Sequence, residues 1–218
     1  GEIPTEAEKG IENLFQKIFG IIEVYPKEEL LGIAVSGTGQ IDGNVGKVIG
    51  GNDIIPGWIG TDLVKMLEKK FSLPAVLEND VNCAALGEKW LGAGKEKKDF
   101  VCVTIGTGIG GGIVVNDDIL RGDICVAGEF GHIQIVKNGH ECMCGKKGCY
   151  ERYASTTALV RMVKEKTGFK LNGKEIFTRE RAGETIFKEI VEEWIDYLTD
   201  GLSTITYIFN PSLIIIGG

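Results

Sequence analysis

The segment 128–155 combines residue types that bind metal ions with glycines that permit tight turns. A tetrahedral zinc site formed by three thiolates and one imidazole is a standard structural site in proteins. The ligands proposed from this segment are His132, Cys142, Cys144 and Cys149. Gly145 and Gly148 would let the chain turn sharply enough to bring the three sulfurs around one ion. The segment is therefore predicted to bind structural Zn²⁺.

Two histidines compete for the fourth ligand position, His132 and His140. We favour His132, because the apolar residues 133–136 after it are typical of a strand, which would hold the imidazole at a fixed distance. His140 would lie in the turn instead. The alternative without a metal is two surface thiols and one buried thiol, since the Cys-x-Cys spacing is shorter than the usual two to four intervening residues.

Asp80 is the first candidate for a catalytic carboxylate. Residues 75–77 have the pattern of a short strand, and Asn79 and Asp80 follow where a helix begins. A carboxylate in that position lies at the carboxyl edge of the sheet, where open α/β sheets bind ligands. It could accept a proton from a hydroxyl whose oxygen attacks phosphorus. The alternative is a simple helix N-cap, for which Asp and Asn are favoured.

The glycine-rich run 106–112 joins two apolar segments, 100–105 and 113–115. Closely spaced glycines let backbone N–H groups approach phosphate oxygens without obstruction from Cβ atoms. A dinucleotide-binding fingerprint would need a helix after the run, and a P-loop would need Gly-Lys-Ser/Thr. A phosphate-binding hairpin therefore fits better, and a purely structural glycine hairpin is the alternative.

Two acids, Glu129 and Glu151, flank the proposed metal ligands. Carboxylates held in fixed positions are suited to accept hydrogen bonds from neighbouring sugar hydroxyls. The polar loop positions 36–40 and Asn52 are further candidates for contacts to a sugar. Solvated surface acids and ordinary turns are the alternatives.

Composition excludes several classes of protein. The 218 residues carry a net charge of −7, which argues against a nucleic-acid surface, since phosphate binding needs clustered Lys and Arg. No apolar run approaches the roughly 20 residues that span a bilayer, and the polar start of the chain is unlike a signal peptide. We expect a cytosolic protein whose six cysteines are metal ligands and core residues.

The order of helical and strand patterns predicts an α/β fold. Thr5–Glu8 has the form of a capping box before a helix that includes Ile11 to Ile22, and Thr61 could cap a second helix. The polar stretch 92–98 is the best linker, so we expect an N-terminal lobe at 1–98 and a C-terminal lobe at 99–218. Further elements are predicted as strands at 30–35, 45–49 and 213–216 and helices at 80–91, 156–166 and 184–209.

The ends of the sequence lead to one more expectation. The chain starts without methionine and stops at Gly217-Gly218, directly after an apolar strand. We therefore expect it to be a piece of a longer protein.

Taken together, these residues resemble the ROK family (repressors, open reading frames, kinases) of sugar kinases and sugar-sensing repressors. The resemblance covers nearly the whole chain, and its most specific part is the histidine-to-cysteine signature of the zinc segment. The motifs that carry it are the stretches 34–37, 56–58, 78–88, 106–112, 128–132, 142–145, 148–151, 210–212 and 217–218.

The resemblance implies an actin-like (ribonuclease H-like) two-lobed fold, lacking here its first strands and its C-terminal end. It implies that Asp80 is the general base that deprotonates the 6-hydroxyl of a hexose or N-acetylhexosamine. Sugar contacts would come from Gly39, Gln40, Asn52, Asn79, Glu129, His132 and Glu151. Residues Gly106, Thr107, Gly108, Gly110, Gly111, Gly217 and Gly218 would bind ATP, which enters with Mg²⁺. We also expect a homo-oligomer, and a dimer before any larger assembly.

Two departures from the family pattern leave two functions open. Kinases of the family begin with an Asp-x-Gly-Gly-Thr loop that helps bind phosphates and magnesium, and repressors carry a winged helix-turn-helix before it. The 218 residues contain neither. The first hypothesis is an ATP-dependent sugar kinase, and the second is the sugar-sensing part of a repressor whose DNA-binding domain lies outside this chain.

Overall fold

The computed structural model of the chain describes residues 2–51 and 55–218, which form an α/β structure. They pack as two units. The first consists of Gly1–Cys83 with Arg121–Val126, and the second of Ala84–Leu120 with Ala127–Gly218. The division into lobes at residues 98 and 99 stays a prediction, since these units are defined by packing alone.

The first unit contains two pairs of strands and two helices. Strands β1 and β4 are parallel and in register, so that Gly37 lies beside Asn79 at their carboxyl ends. Strands β2 and β3 form an antiparallel hairpin. The elements are α1 (Ile11–Ile22), β1 (Ile33–Gly37), β2 (Gln40–Asp42), β3 (Lys47–Gly50), α2 (Leu63–Phe71) and β4 (Ala75–Asn79), followed by α3 (Asp80–Leu91).

The core of the first unit explains why α1 is amphipathic. Its apolar side packs on a cluster that includes Phe15, Leu67 and Leu77. Phe15 and Phe19 stack with ring centroids 6.1 Å apart. This core packs against one side of the β1–β4 pair. The carboxyl ends of the two strands lie next to each other because the strands are parallel and in register.

Two predicted helix caps are wrong. Thr5–Glu8 forms no capping box: Ala7–Lys9 is a short 3₁₀ turn, and α1 begins after Gly10, whose φ of 81° interrupts any helix. Glu6 is instead drawn into ion pairs with Lys9 and Lys17. At α2 the cap is Asp62 rather than Thr61, because Asp62 accepts a hydrogen bond from the backbone N–H of Lys65.

The second unit is built on a four-stranded sheet in the order β7-β6-β5-β8. Strand β8 is parallel to β5, whereas β6 is antiparallel to both β5 and β7. After α3 the elements are β5 (Phe100–Ile105), β6 (Ile109–Val115), β7 (Asp118–Ile119), α4 (Glu151–Ala154), α5 (Thr156–Thr167), α6 (Gly173–Arg181), α7 (Thr185–Phe209) and β8 (Ile214–Gly217).

Alternating residues of the central strand β5 pack on opposite faces of this sheet, as strand geometry requires. Val101 and Val103 belong to the cluster of Tyr150 and Ile205, on the α7 side. Phe100 and Cys102 belong to the cluster of Ala85, on the α3 side. The continuous apolar pattern of β5 is therefore explained by burial on both faces.

Helix α6 was not predicted from the sequence, although its start carries a clear signal. The side chain of Asn172 accepts from the backbone N–H of Glu175, and the Glu175 carboxylate accepts from the N–H of Asn172. This reciprocal pair is a complete capping box. Within the described parts of the chain, no helix has both the length and the apolar character needed to cross a bilayer.

Two glycines inside helices give opposite predictions for the same substitution. A Cβ built at Gly201 in α7 would lie 2.2 Å from the buried Tyr150 ring. Gly201→Ala should therefore destabilise the protein by about 1–3 kcal/mol through overpacking. A Cβ at Gly87 in α3 would meet no described heavy atom within 4 Å. Gly87→Ala should stabilise by about 0.5–1 kcal/mol through helix propensity.

Urea unfolding of the two variants and the unmutated chain checks both signs. If Gly201→Ala raised the midpoint as much as Gly87→Ala, the close packing of α7 on Tyr150 would be incorrect.

Candidate metal centre and catalytic site

The structure brings the four predicted metal ligands of the second unit together. The ligand atoms of His132, Cys142, Cys144 and Cys149 all lie within 4.8 Å of one another. Cys144 Sγ is 3.5 Å from Cys149 Sγ, and Cys142 Sγ is 3.6 Å from His132 Nδ1. A tetrahedral zinc ion with Zn–S bonds near 2.3 Å would separate two sulfurs by about 3.8 Å. The spacing of the donors therefore fits Zn²⁺.

Backbone hydrogen bonds and two glycines shape the cysteine turn. The N–H of Cys142 donates to Lys146 O at 2.8 Å, and the N–H of Gly145 donates to Cys142 O at 3.0 Å. Gly145 and Gly148 have φ values of 84° and 79°, in the left-handed region that favours glycine. A Cβ at Gly148 would lie 1.6 Å from Val136 O. The turns expected at both glycines are thus present.

The strand predicted at residues 133–136 is wrong. His132 ends a short 3₁₀ turn, Phe130–His132, and Gln134 forms only an isolated bridge to Cys149. The apolar side chains of Ile133 and Ile135 pack against the core of the second unit instead of lining a strand. His132 is held by the 3₁₀ turn and by this bridge. His140 lies outside the ligand group, with its ring 5.1 Å from that of Tyr153.

The protonation of the thiols also bears on the metal. Burial raises the pKa of the Cys142 thiol to about 12, and it raises the pKa of Cys149 as well. Three thiolates this close together, two of them buried, would repel one another in the protein alone. Coordination to a divalent cation stabilises thiolates and reverses these shifts. The donor set therefore suits a cation that prefers sulfur and imidazole.

Both predicted acids of this segment lie against the imidazole. Glu129 Oε2 is 3.7 Å from His132 Nε2, and Glu151 Oε1 is 3.9 Å from His132 Nδ1. The Cys142 thiol also lies 3.2 Å from Glu151 Oε1. Glu151 opens α4, directly after the cysteine turn. Any ordering of that turn therefore orders a cluster of two carboxylates and one imidazole.

In the first unit, Asp80 is exposed at the junction between β4 and α3. Its neighbour Asn79 is fixed by three hydrogen bonds: its side-chain oxygen accepts from the N–H groups of Val81 and Asn82, and its side-chain N–H₂ donates to Gly39 O at 3.0 Å. Asn79 thus caps α3, and Asp80 also accepts from the Val81 N–H, at 2.9 Å. The helix start presents Asp80 to solvent rather than burying it.

The structure describes two of the other predicted sugar contacts of the first unit, Gly39 and Gln40. Gly39 is joined to Asn79 by the hydrogen bond above, and Gln40 begins β2 with its side chain against Gly50. Asn52 lies outside the described residues. Trp58, interpreted as a packing residue, is buried and donates from Nε1 to Thr38 O at 2.9 Å.

The predicted glycine loop is shorter than expected. Its turn covers residues 106–108, whereas Gly110 and Gly111 already belong to β6. A Cβ at Gly111 would lie 2.2 Å from the Phe130 ring, so Gly111 permits close packing of the segment before His132. The open part of the run is the turn of Gly106, Thr107 and Gly108.

The other residues predicted to bind ATP, Gly217 and Gly218, lie next to this turn. Gly217 pairs with Thr104 in the sheet, and a Cβ at Gly218 would lie 2.4 Å from Ile105 O. Both glycines therefore lie beside the end of β5, where the turn begins. Sequence reasoning missed Thr156, whose N–H donates to Gly106 O at 3.0 Å. The N-terminus of α5 thus lies at the same edge, and it favours negative charge.

Two of the remaining three cysteines are core residues, as predicted, and the third is not fully buried. Cys102 and Cys125 are buried and Cys83 is half-buried. Burial raises the pKa of all three thiols, which makes them poor nucleophiles at neutral pH.

Comparison with curated proteins gives relatives of two kinds. Residues 2–218 match the sequence model of the ROK family. A glucokinase from Halalkalibacterium halodurans is 36% identical over 208 residues, which are 88% of this chain and 62% of that protein. A xylose repressor from Bacillus spizizenii is 35% identical over 187 residues, which are 86% of this chain and 48% of that protein. The chain thus spans less than two thirds of either relative.

Solved structures share the fold. A ROK hexokinase from Thermus thermophilus superposes with a TM-score of 0.85 at 30% identity, over 99% of this chain and 72% of that chain. A ROK family glucokinase from Streptomyces griseus, in complex with glucose and AMPPNP, gives a TM-score of 0.80 at 32% identity, over 96% of this chain and 72% of that chain. The chain therefore belongs to the ROK family, and its fold is the actin-like, ribonuclease H-like α/β fold expected from its sequence.

Proposed function

We propose that the protein containing this chain transfers the terminal phosphoryl group of ATP to the 6-hydroxyl of a hexose or N-acetylhexosamine. The observation that carries this proposal is the exposed carboxylate of Asp80 at the β4–α3 junction, next to the fixed side chain of Asn79. The similarity to a glucokinase over 88% of the chain supports the same activity.

Asp80 would act as the general base. Its carboxylate accepts the proton of the sugar hydroxyl while the hydroxyl oxygen forms a bond to the γ-phosphorus. The bond from that phosphorus to the bridging oxygen breaks, and ADP leaves with the electron pair. A positioned base of this kind contributes typically 10²- to 10⁴-fold to the rate.

Each unit carries its own set of proposed sugar contacts. In the second unit, Glu129, His132 and Glu151 form one cluster, whose carboxylates can accept hydrogen bonds from sugar hydroxyls. In the first unit, Asn79, Gly39 and Gln40 are the proposed contacts, together with Asn52. Bound Zn²⁺ would supply structural order to the cysteine turn, and through it to the two glutamates.

The edge formed by the ends of β5 and β8 would bind ATP. Backbone N–H groups of the turn at Thr107 and Gly108 would face the phosphates, whereas the N–H of Gly106 closes the turn by donating to Gly108 O at 3.0 Å. Gly217 and Gly218 would begin the adenosine site. Gly110 and Gly111 would support this turn from β6. Mg²⁺ bound with the nucleotide supplies neutralisation of the phosphate charges. The glucokinase from Streptomyces griseus, solved with glucose and AMPPNP, supports this assignment.

The second candidate function is the sugar-sensing part of a transcriptional repressor. It is favoured by the 35% identity to a xylose repressor over 86% of this chain. In that case the same sugar contacts would serve regulation, and DNA would be bound by residues outside this chain. Residues preceding this chain discriminate: an Asp-x-Gly-Gly-Thr loop supports the kinase, and a winged helix-turn-helix supports the repressor. A homodimer in the cytosol is compatible with both and stays a prediction.

Asp80→Asn tests the catalytic assignment in the full-length protein. The variant keeps the shape and the capping ability of the residue but removes its basicity. We expect kcat to fall by about 10²- to 10⁴-fold while the Kd for sugar stays within a few-fold, measured by a coupled ADP assay and by calorimetry.

Asp62→Asn is the matched control, because Asp62 caps α2 as an acid at another helix start of the same unit. Asn is an equally good cap, so turnover should not change. Equal turnover of Asp80→Asn and the unmutated protein would remove Asp80 from the role of base.

Cys144→Ser tests the metal. Because one ligand is lost, we expect zinc measured by mass spectrometry to fall from about one ion per chain to a small fraction, and sugar affinity to weaken with it. Cys125→Ser is the control: Cys125 lies outside the ligand group, with Sγ 3.4 Å from Asp42 Oδ1. Zinc well below one ion per chain in unmutated protein would contradict the proposed site.

A panel of sugars identifies the substrate. Glucose, N-acetylglucosamine, N-acetylmannosamine, fructose and xylose are each added to the protein, and the shift in Tm is measured. Ligand at 100 times its Kd should stabilise the folded state by about 2.7 kcal/mol, so the true substrate should stand out. If no sugar shifted Tm, both candidate functions would lose their common premise.

A further inference from the structure

Glu78, the last residue but one of β4, connects the β4–α3 junction to a distant part of the sequence. Its Oε1 accepts hydrogen bonds from the N–H of Asn79 and from Nδ2 of Asn82, both at 3.0 Å. Its Oε2 accepts from Arg121, with Nε at 2.9 Å and Nη2 at 2.8 Å. The side chain of Glu78 is only 13% exposed. One carboxylate thus joins three elements of the local structure.

The residues joined by Glu78 are those that orient the proposed base. Asn82 is 6% exposed, and its backbone N–H donates to the Asn79 side chain, which also caps Val81. The same two asparagines are hydrogen-bonded to the Glu78 carboxylate. The first turn of α3, which begins with Asp80, is therefore held by Glu78 on one side and by the Asn79 cap on the other.

We propose that Arg121 is a positioning residue for the phosphoryl transfer, which acts through Glu78 on the turn that presents Asn79 and Asp80. The proposal rests on the proposed kinase function. Arg121 does not itself contact the reacting atoms in this scheme. It holds the Glu78 carboxylate in the orientation in which Oε1 accepts from the N–H of Asn79 and from Nδ2 of Asn82.

The hydrogen-bond geometry and the surrounding packing both support a specific ion pair between Glu78 and Arg121. The arginine fork directs two N–H groups at a single carboxylate oxygen, which fixes direction as well as distance. A Cβ at Gly43 would lie 2.9 Å from Glu78 Oε2 and 3.5 Å from Arg121 Nε. The missing side chain at position 43 leaves room for the pair, which is covered by the backbone of the β2–β3 hairpin.

The segment that carries Arg121 is itself attached to the first unit. Cys125 lies 3.5 Å from Asn44 Nδ2 and 3.4 Å from Asp42 Oδ1, both at the β2–β3 hairpin. The segment is thus attached at two points, by the guanidinium on Glu78 and by Cys125 at the hairpin. Arg121 is therefore a fixed group and not a mobile surface cation.

Removing only the cation should disturb the turn. A largely buried carboxylate without its partner is strongly unfavourable, so Glu78 would rotate towards water and release Asn79 and Asn82. Arg121→Lys retains a charge but lacks the fork, and it should restore part of the effect. Glu78→Gln combined with Arg121→Met leaves no unpaired charge, and it should be milder than Arg121→Met alone.

Hydrogen exchange tests the structural half of the proposal without any assay of activity. In the full-length protein, Arg121→Met should increase exchange at least tenfold for the amides of residues 79–83, and Arg121→Lys should increase it less. Lys70→Met is the matched control, because it removes the cation of another ion pair of the first unit, Lys70–Glu23 at 2.8 Å. It should leave exchange at 79–83 unchanged.

Steady-state kinetics test the functional half. For Arg121→Met we expect kcat to fall by about 10- to 100-fold, as for a modest misplacement of a catalytic group, and the KM for sugar to rise less than threefold. Arg121→Lys should recover part of kcat, and Lys70→Met should keep the unmutated value. A merely structural role would give no such rescue and no separation of kcat from KM.

The outcomes separate this proposal from the function on which it rests. Absence of phosphoryl transfer by the unmutated full-length protein would overturn the kinase function, while exchange at 79–83 would still decide the role of Arg121 in holding the turn. Unchanged exchange in Arg121→Met overturns the positioning role, whether or not kcat falls. Increased exchange with unchanged kcat also overturns it, because the turn would then not position the base.

Discussion

Crowding of three sulfur atoms and one imidazole nitrogen within 4.8 Å is the constraint on which the segment 128–155 depends. Regular structure in this segment is limited to a 3₁₀ turn, isolated bridges and the four-residue helix α4. Phe130, Tyr150 and Ala154 anchor the two ends of the segment in the core of the second unit, and the four donors hold the cysteine turn between them. An ion that binds all four would link His132 to a turn ten residues later, and the two glutamates beside the imidazole would be fixed with it.

In the first unit, the residues around Asp80 are held in place by hydrogen bonds. The parallel pairing of β1 and β4 brings Gly37 beside Asn79. The loop after β1 and the start of α3 after β4 therefore lie at the same edge of this strand pair. Asn79 bridges the two turns, since it caps α3 and donates to Gly39 O. Asp80, the next residue, therefore has a backbone held by these hydrogen bonds and a side chain that is open to solvent.

Local chemistry made much of this site predictable from the sequence. The three cysteines follow from ligand type and spacing, and Asp80 follows from its place after a strand. His132 was preferred to His140 because of a strand at 133–136 that the structure does not contain, although His132 does lie with the sulfurs. The ROK family and its α/β fold were predicted from motifs and are confirmed by the comparisons. The binding of zinc, the catalytic role of Asp80 and the roles in sugar and ATP binding stay predictions.

The predictions that failed are those in which tertiary contacts override the local sequence pattern. Residues 133–136 have the composition of a strand, but Ile133 and Ile135 are used in the core of the second unit. Gly110 and Gly111 read as a loop, yet they lie in β6, where Gly111 makes room for Phe130. The ion pair of Glu78 and Arg121 spans 43 positions, and no periodicity within either segment signals it.

The discontinuous composition of the two units has a consequence for biosynthesis. Residues 121–126 belong to the first unit, although they follow β5 and β6 of the second along the chain. A ribosome releases the polypeptide from its N-terminus, so the first unit cannot be completed until residue 126 has emerged. By then the antiparallel hairpin of the second unit is also available. Part of the second unit is therefore synthesised before the first unit is complete.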